Sequence, residues 1–144
     1  MMENLDSLYR EVILDHFQNP RHHGALERPT VSVDGKNPLC GDEITLQLVV
    51  DNGLIKDVAW DGKGCAISQA SVSVLSENIV GKTIADAKTM IENVKGVMAG
   101  RVEAESLDMG DLEALAGVRQ FPVRIKCALL GWTTLDEAFK ELRL

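Results

Sequence analysis

The chain carries no basic excess: 15 lysines and arginines stand against 22 aspartates and glutamates, for a net charge of −7 over 144 residues. Readers of a phosphate backbone need a basic face, so no nucleic-acid partner is expected. No apolar run approaches the roughly 20 residues that span a bilayer, and no membrane partner is expected either. Met1-Met2-Glu3-Asn4-Leu5-Asp6 places acids where a secretory signal needs a basic and then an apolar stretch. The expected location is therefore cytoplasmic, where thiols stay reduced. Cysteine is scarce, with three in the chain, and an odd number excludes a complete set of internal disulfides. Internal repeats, low-complexity tracts and linkers are missing too, so residues 1–144 read as one domain. Its 45% apolar and 26% charged content is that of an ordinary globule with a real core.

The few cysteines fall in distinctive places. Cys40 lies in Asn37-Pro38-Leu39-Cys40-Gly41-Asp42, a loop that Pro38 stiffens and Gly41 frees, with a carboxylate two residues after the thiol. Cys65 follows 25 residues later in Gly62-Lys63-Gly64-Cys65-Ala66-Ile67-Ser68, and Cys127 after 62 more in Pro122-Val123-Arg124-Ile125-Lys126-Cys127-Ala128. Cys40, Asp42, Cys65 and Cys127 supply four soft or borderline donors, the number a tetrahedral zinc takes. They read as one metal–thiolate site that handles sulfur.

Periodicity predicts what frames that site. Leu5, Leu8, Tyr9, Val12, Ile13 and Phe17 recur at helical spacing over about residues 4–18, and Asn19-Pro20 ends the helix. Arg21-His22-His23-Gly24 reads as an exposed turn, and the stretch to Lys36 as a loop with an edge strand. Ile44, Leu46, Leu48 and Val50 alternate with polar residues, as a half-buried strand does. Asp51-Asn52-Gly53 is a hairpin turn, and the return strand runs from Leu54 to Trp60, broken by Asp61-Gly62-Lys63-Gly64. Helices are predicted over 66–79, from Ile84 to about Met98, over 111–117, and from Phe121-Pro122 onward, with a glycine- and acid-rich connection over 100–110. Cys65 then sits at a helix start, where free amides and the helix dipole favour an anion. The order of elements predicts an α+β fold: a small, mainly antiparallel sheet with helices packed on one side and the metal site at the end of the sheet.

Taken together, the segments 37–42, 62–71 and 121–132 resemble the three signatures of the U-type iron–sulfur assembly proteins, the IscU/SufU family. The resemblance runs nearly the whole chain, including Leu8-Tyr9, Asp15-His16-Phe17 and Asn19-Pro20-Arg21. It implies iron–sulfur cluster assembly, with a cysteine desulfurase (SufS-like) as partner and downstream cluster-assembly proteins as recipients. Scaffold members carry histidine immediately before the third cysteine, where this chain has Lys126, and their gap between second and third cysteines is shorter than the 62 residues here. The excess falls around residues 92–110. Both features resemble the SufU branch, whose members are zinc proteins that accept sulfur.

On that reading Cys65 and Cys127 are anchors held by helices, and Asp42 is a ligand that tunes the site. Cys40, in a loop next to glycine, is expected to be the thiolate that can leave the metal and attack a persulfide. Arg124 is placed beside the site by the resemblance, where a guanidinium offsets the −2 charge of zinc with four anionic donors. Lys63 reads as solvated. The alternatives are a scaffold holding a [2Fe–2S] cluster on the same thiolates, and a structural zinc domain that acts by docking alone. His16 reads as a helix-end side chain, His22 and His23 as exposed loop, and Trp60 and Trp132 as core.

Overall fold

The computed structural model describes residues 2–38, 41–101 and 113–144, with side chains omitted for 2–9 and 113. The chain opens with helix α1 (Met2–Gln18) and continues into strands β1 (Val31–Asn37), β2 (Asp42–Asp51) and β3 (Leu54–Lys63). Helices α2 (Ala66–Ile79) and α3 (Ile84–Met98) follow, then the short α4 (Glu113–Ala116) with a 3-10 turn at Gly117–Gln120, and α5 (Pro122–Glu141). The strands form one antiparallel sheet in the order β1-β2-β3.

Alternation builds the sheet's single buried face. Val31 and Val33 of β1, Ile44, Leu46 and Leu48 of β2, and Ile55, Val58 and Trp60 of β3 are all buried. They share a core with Val72, Leu75 and Ile79 of α2 and Trp132, Leu135 and Phe139 of α5. Each such side chain contributes about 1.5–3 kcal/mol by leaving water, and Ile84, Ile91, Val94 and Val97 of α3 extend the same core. The β2–β3 hairpin turns at Asn52 and Gly53, with φ of 52° and 75°, the positive angles an Asn-Gly pair tolerates. Thr83 caps α3 by accepting the Asp86 N–H at 3.0 Å.

α5 is pinned on both sides by glycines. A Cβ on Gly35 would strike Thr134 Oγ1, and one on Gly131 would lie 3.1 Å from Val72 Cβ. Their bare backbones let the helix settle close against β1 and α2. α2 itself buries four serines, which would be costly if unpaired. Three of them tie segments together: Ser71 Oγ donates to the Ala128 carbonyl at 2.6 Å, Ser73 Oγ accepts the Arg21 N–H at 2.8 Å, and Ser76 Oγ donates to the Arg21 carbonyl at 3.1 Å.

Three expectations need correction. β3 does not break at Asp61 but pairs on through Lys63, opposite Glu43. Gly62 permits this, because a Cβ there would strike the Glu43 carbonyl. His16 is no mere helix-end side chain: it is fully buried, with Nδ1 2.9 Å from Ser73 Oγ. Phe17, one of the apolar residues at helical spacing that would form the buried stripe of the first helix, is instead 43% exposed, since His16 takes the inward position beside it. The predicted connection over 100–110 and the start of the 111–117 helix lie mostly outside the described residues. Among those described, no helix is long and apolar enough to cross a membrane.

Candidate metal centre

The end of the sheet gathers donors from three elements. Asp42 opens β2 and is 1% exposed. Cys65 is the N-cap residue of α2, directly after β3, and is half-buried. Cys127 lies in the second turn of α5 and is fully buried. One ligand atom from each of the three lies within 4.8 Å of the others. Sequence separations of 23 and 62 residues thus close onto one point. Cys40 lies outside the described residues.

The geometry has identifiable causes. Asn37 and Asp42 pair across the end of the β1–β2 ladder, so the connection carrying Cys40 begins and ends at the site. Gly64, at φ 146°, lets the backbone turn from β3 into α2 directly over the carboxylate, where any Cβ would strike Asp42 Oδ1. The Cys65 N–H, unused by the helix it begins, donates to Asp42 Oδ1 at 2.8 Å. Asp42 Oδ2 is 3.9 Å from Cys65 Sγ. One carboxylate oxygen is therefore fixed by the backbone, and the other faces the thiols.

This donor set fits a soft or borderline dication. Zinc bonds of about 2.0–2.3 Å put neighbouring tetrahedral donors roughly 3.5 Å apart, so a contraction of about an ångström would let these three donors share one ion, with a fourth position left to fill. A carboxylate and two cysteines drawn together out of water are costly as anions unless a cation joins them.

The basic residues divide. Arg124 lies one helical turn before Cys127 on α5 and is exposed, as is Lys126. Lys63 is directed instead to Glu43 on the sheet's outer face, 3.5 Å away, and Lys36 joins the same carboxylate at 3.8 Å. The histidines lie outside the donor group. His23 pairs with Asp61 at 3.0 Å, and its ring stands edge-on to Trp60 at 5.0 Å. Two residues that shape the site, Asn37 and Gly64, are missing from the ligand set read from sequence. Asn37 completes the inward alternation Val31, Val33, Gly35, Asn37, and that polar ending was the available signal.

The model of the family described as NifU-like N terminal domain matches residues 8–128. The chain belongs to this family. It is 46% identical over 134 residues to the zinc-dependent sulfurtransferase SufU of Bacillus subtilis, covering 93% of this chain and 90% of that one. It is 39% identical to the iron–sulfur cluster assembly scaffold protein IscU of Thermotoga maritima, covering 94% of each. Among solved structures, FiSufU of Fervidobacterium islandicum AW-1 superposes with a TM-score of 0.84 at 41% identity, over 89% of this chain and 93% of that one. The α+β fold expected from the sequence is the fold of the family.

Proposed function

We propose that this NifU-like chain is a zinc-dependent sulfur acceptor for iron–sulfur cluster assembly, working as a single cytoplasmic domain. Sulfur would come from a cysteine desulfurase of the SufS kind and pass to downstream cluster-assembly proteins. The observation that carries the reading is the convergence of Asp42, Cys65 and Cys127 within 4.8 Å. The likeness to B. subtilis SufU supports it. Consecutive Cα atoms are about 3.8 Å apart, so Cys40, two positions before Asp42, is within reach as the fourth donor.

Bound zinc would hold the thiolates deprotonated at neutral pH. The protein's own groups divide the remaining work. Cys65 and Cys127, carried by helices, stay in place, and Asp42 is held by the Cys65 amide. Cys40, on the connection between β1 and β2, is the nucleophile. Its sulfur attacks the outer sulfur of the desulfurase persulfide; a new S–S bond forms on Cys40, the partner's S–S bond breaks, and the partner's cysteine leaves as a thiolate. Arg124, one turn from Cys127, is positioned to offset the charge that gathers there.

The test is desulfurase turnover with zinc-loaded protein. Cys40→Ala abolishes persulfide formation on this chain while leaving its circular dichroism unchanged; full stimulation by that variant contradicts the assignment. A second reading, a scaffold for a [2Fe–2S] cluster on the same residues, draws on the likeness to T. maritima IscU. Lys126 disfavours it, standing where scaffold members carry histidine. Colourless protein containing zinc supports the first reading, and brown protein containing iron and sulfide the second.

A further inference from the structure

One buried side chain beside the metal centre is not a donor in the proposed shell, yet it touches a sulfur that is. Asn37 is 6% exposed, and its Nδ2 donates to Cys127 Sγ at 3.7 Å. Burying an amide costs free energy unless it is hydrogen-bonded, and here a bond is directed at a ligand atom. A metal-held thiolate can only accept, so the NH2 end of the amide is the end that suits it. The placement is set by packing. Gly35 lets α5 approach β1 at Thr134, and two helical turns back along α5 the same face brings Cys127 over Asn37. Ladder pairing of Asn37 with Asp42 fixes the amide relative to a second donor.

We propose that Asn37 is a positioning residue that marks Cys127 as the permanent anchor of the metal centre. A hydrogen bond to a thiolate draws charge from the sulfur, which lowers its nucleophilicity and holds its lone pairs in one direction. Cys127 is thereby kept out of sulfur exchange, and the reaction is left to the loop cysteine. This inference rests on the metal-centre reading above and deepens it by assigning the choice among thiolates to a residue outside the ligand shell.

The test uses the full-length protein loaded with cobalt(II), whose thiolate-to-metal charge-transfer bands report donor strength, alongside zinc affinity by chelator competition. In Asn37→Leu the bands move to lower energy, because a thiolate without the hydrogen bond is a stronger donor. Zinc affinity nevertheless falls about 10–100-fold, because the sulfur is no longer held in one direction, the usual effect of removing an outer partner that orients a ligand. Asn37→Asp keeps the side-chain shape but places a carboxylate against the sulfur, and it weakens zinc binding at least as much. Should Asn37→Leu fail to fold, the near-isosteric aspartate variant carries the test. Charge-transfer energies unchanged in both variants, with zinc affinity within about twofold of wild type, overturn the proposal. Wild-type protein lacking thiolate–cobalt bands altogether overturns instead the reading on which it rests.

Discussion

The backbone amide of Cys65 donates to Oδ1 of Asp42 at 2.8 Å, joining the start of a helix to the start of a strand 23 residues earlier. A single bond thereby orients two donors of the proposed shell. It satisfies one of the amides that every helix leaves open at its N-terminus, and it presents the other carboxylate oxygen to the sulfurs. The arrangement needs a bare backbone at Gly64, which lies against the carboxylate at φ 146°.

Gly64→Ala is expected to damage both the fold and the site. A side chain at that φ costs about 1–3 kcal/mol in strain, and its Cβ collides with Asp42. Chemical denaturation of metal-free protein measures the first effect. Chelator competition measures the second, with zinc affinity expected to fall at least about tenfold.

Gly35→Ala is expected to push α5 away from β1, since the new methyl group meets Thr134 Oγ1. Overpacking of this kind costs about 1–3 kcal/mol. Adding Thr134→Ala removes the obstructing hydroxyl, so the double variant recovers part of the loss. A double-mutant cycle on unfolding free energies shows coupling if the two residues meet as described, and additivity if they do not.

Asp15 offers a check on the surface electrostatics near the end of α1. Its carboxylate accepts a hydrogen bond from Arg21 Nη2 at 2.7 Å and another from Asn19 Nδ2 at 3.2 Å, which hold its pKa below the ordinary 3.8. A carboxylate whose folded pKa is depressed contributes stability above its unfolded value and loses it as pH falls through the folded value. The contribution of this pair therefore fades only below pH 3.8. NMR titration is expected to find Asp15 ionising below 3.8 in wild type and moving upward in Arg21→Ala.

Much of this architecture is legible in the sequence because its signals are local. Ile44, Leu46 and Leu48 alternate, Asn52-Gly53 can only turn, and Thr83 caps a helix that begins at Ile84. The α2 boundaries, Ala66–Ile79, agree with the helix expected from about Ala66 to Ile79. Longer-range effects were less visible. β3 continues through Gly62 because a partner strand is present to pair with it, although glycine weakens a strand in isolation. His16 is buried because Ser73, 57 residues away, hydrogen-bonds its ring. From the sequence it reads as a helix-end side chain, because that distant partner is not visible there.

The candidate site was legible in a similar way. The four proposed donors stand out by type and by the motifs around them, and the three that the structure describes converge. Asn37 and Gly64 do not announce themselves, since one acts by a hydrogen bond across the fold and the other by the side chain it lacks. The one signal is that Asn37 puts a polar residue at the end of the inward alternation of β1; Gly64 is not separated from an ordinary turn glycine.

The most direct test of the central claim is zinc K-edge X-ray absorption on the loaded protein. The account predicts about three sulfurs at ~2.3 Å and one oxygen at ~2.0 Å, with one sulfur lost in Cys40→Ala. A shell of two or fewer sulfurs in wild type, or one unchanged by that substitution, contradicts it.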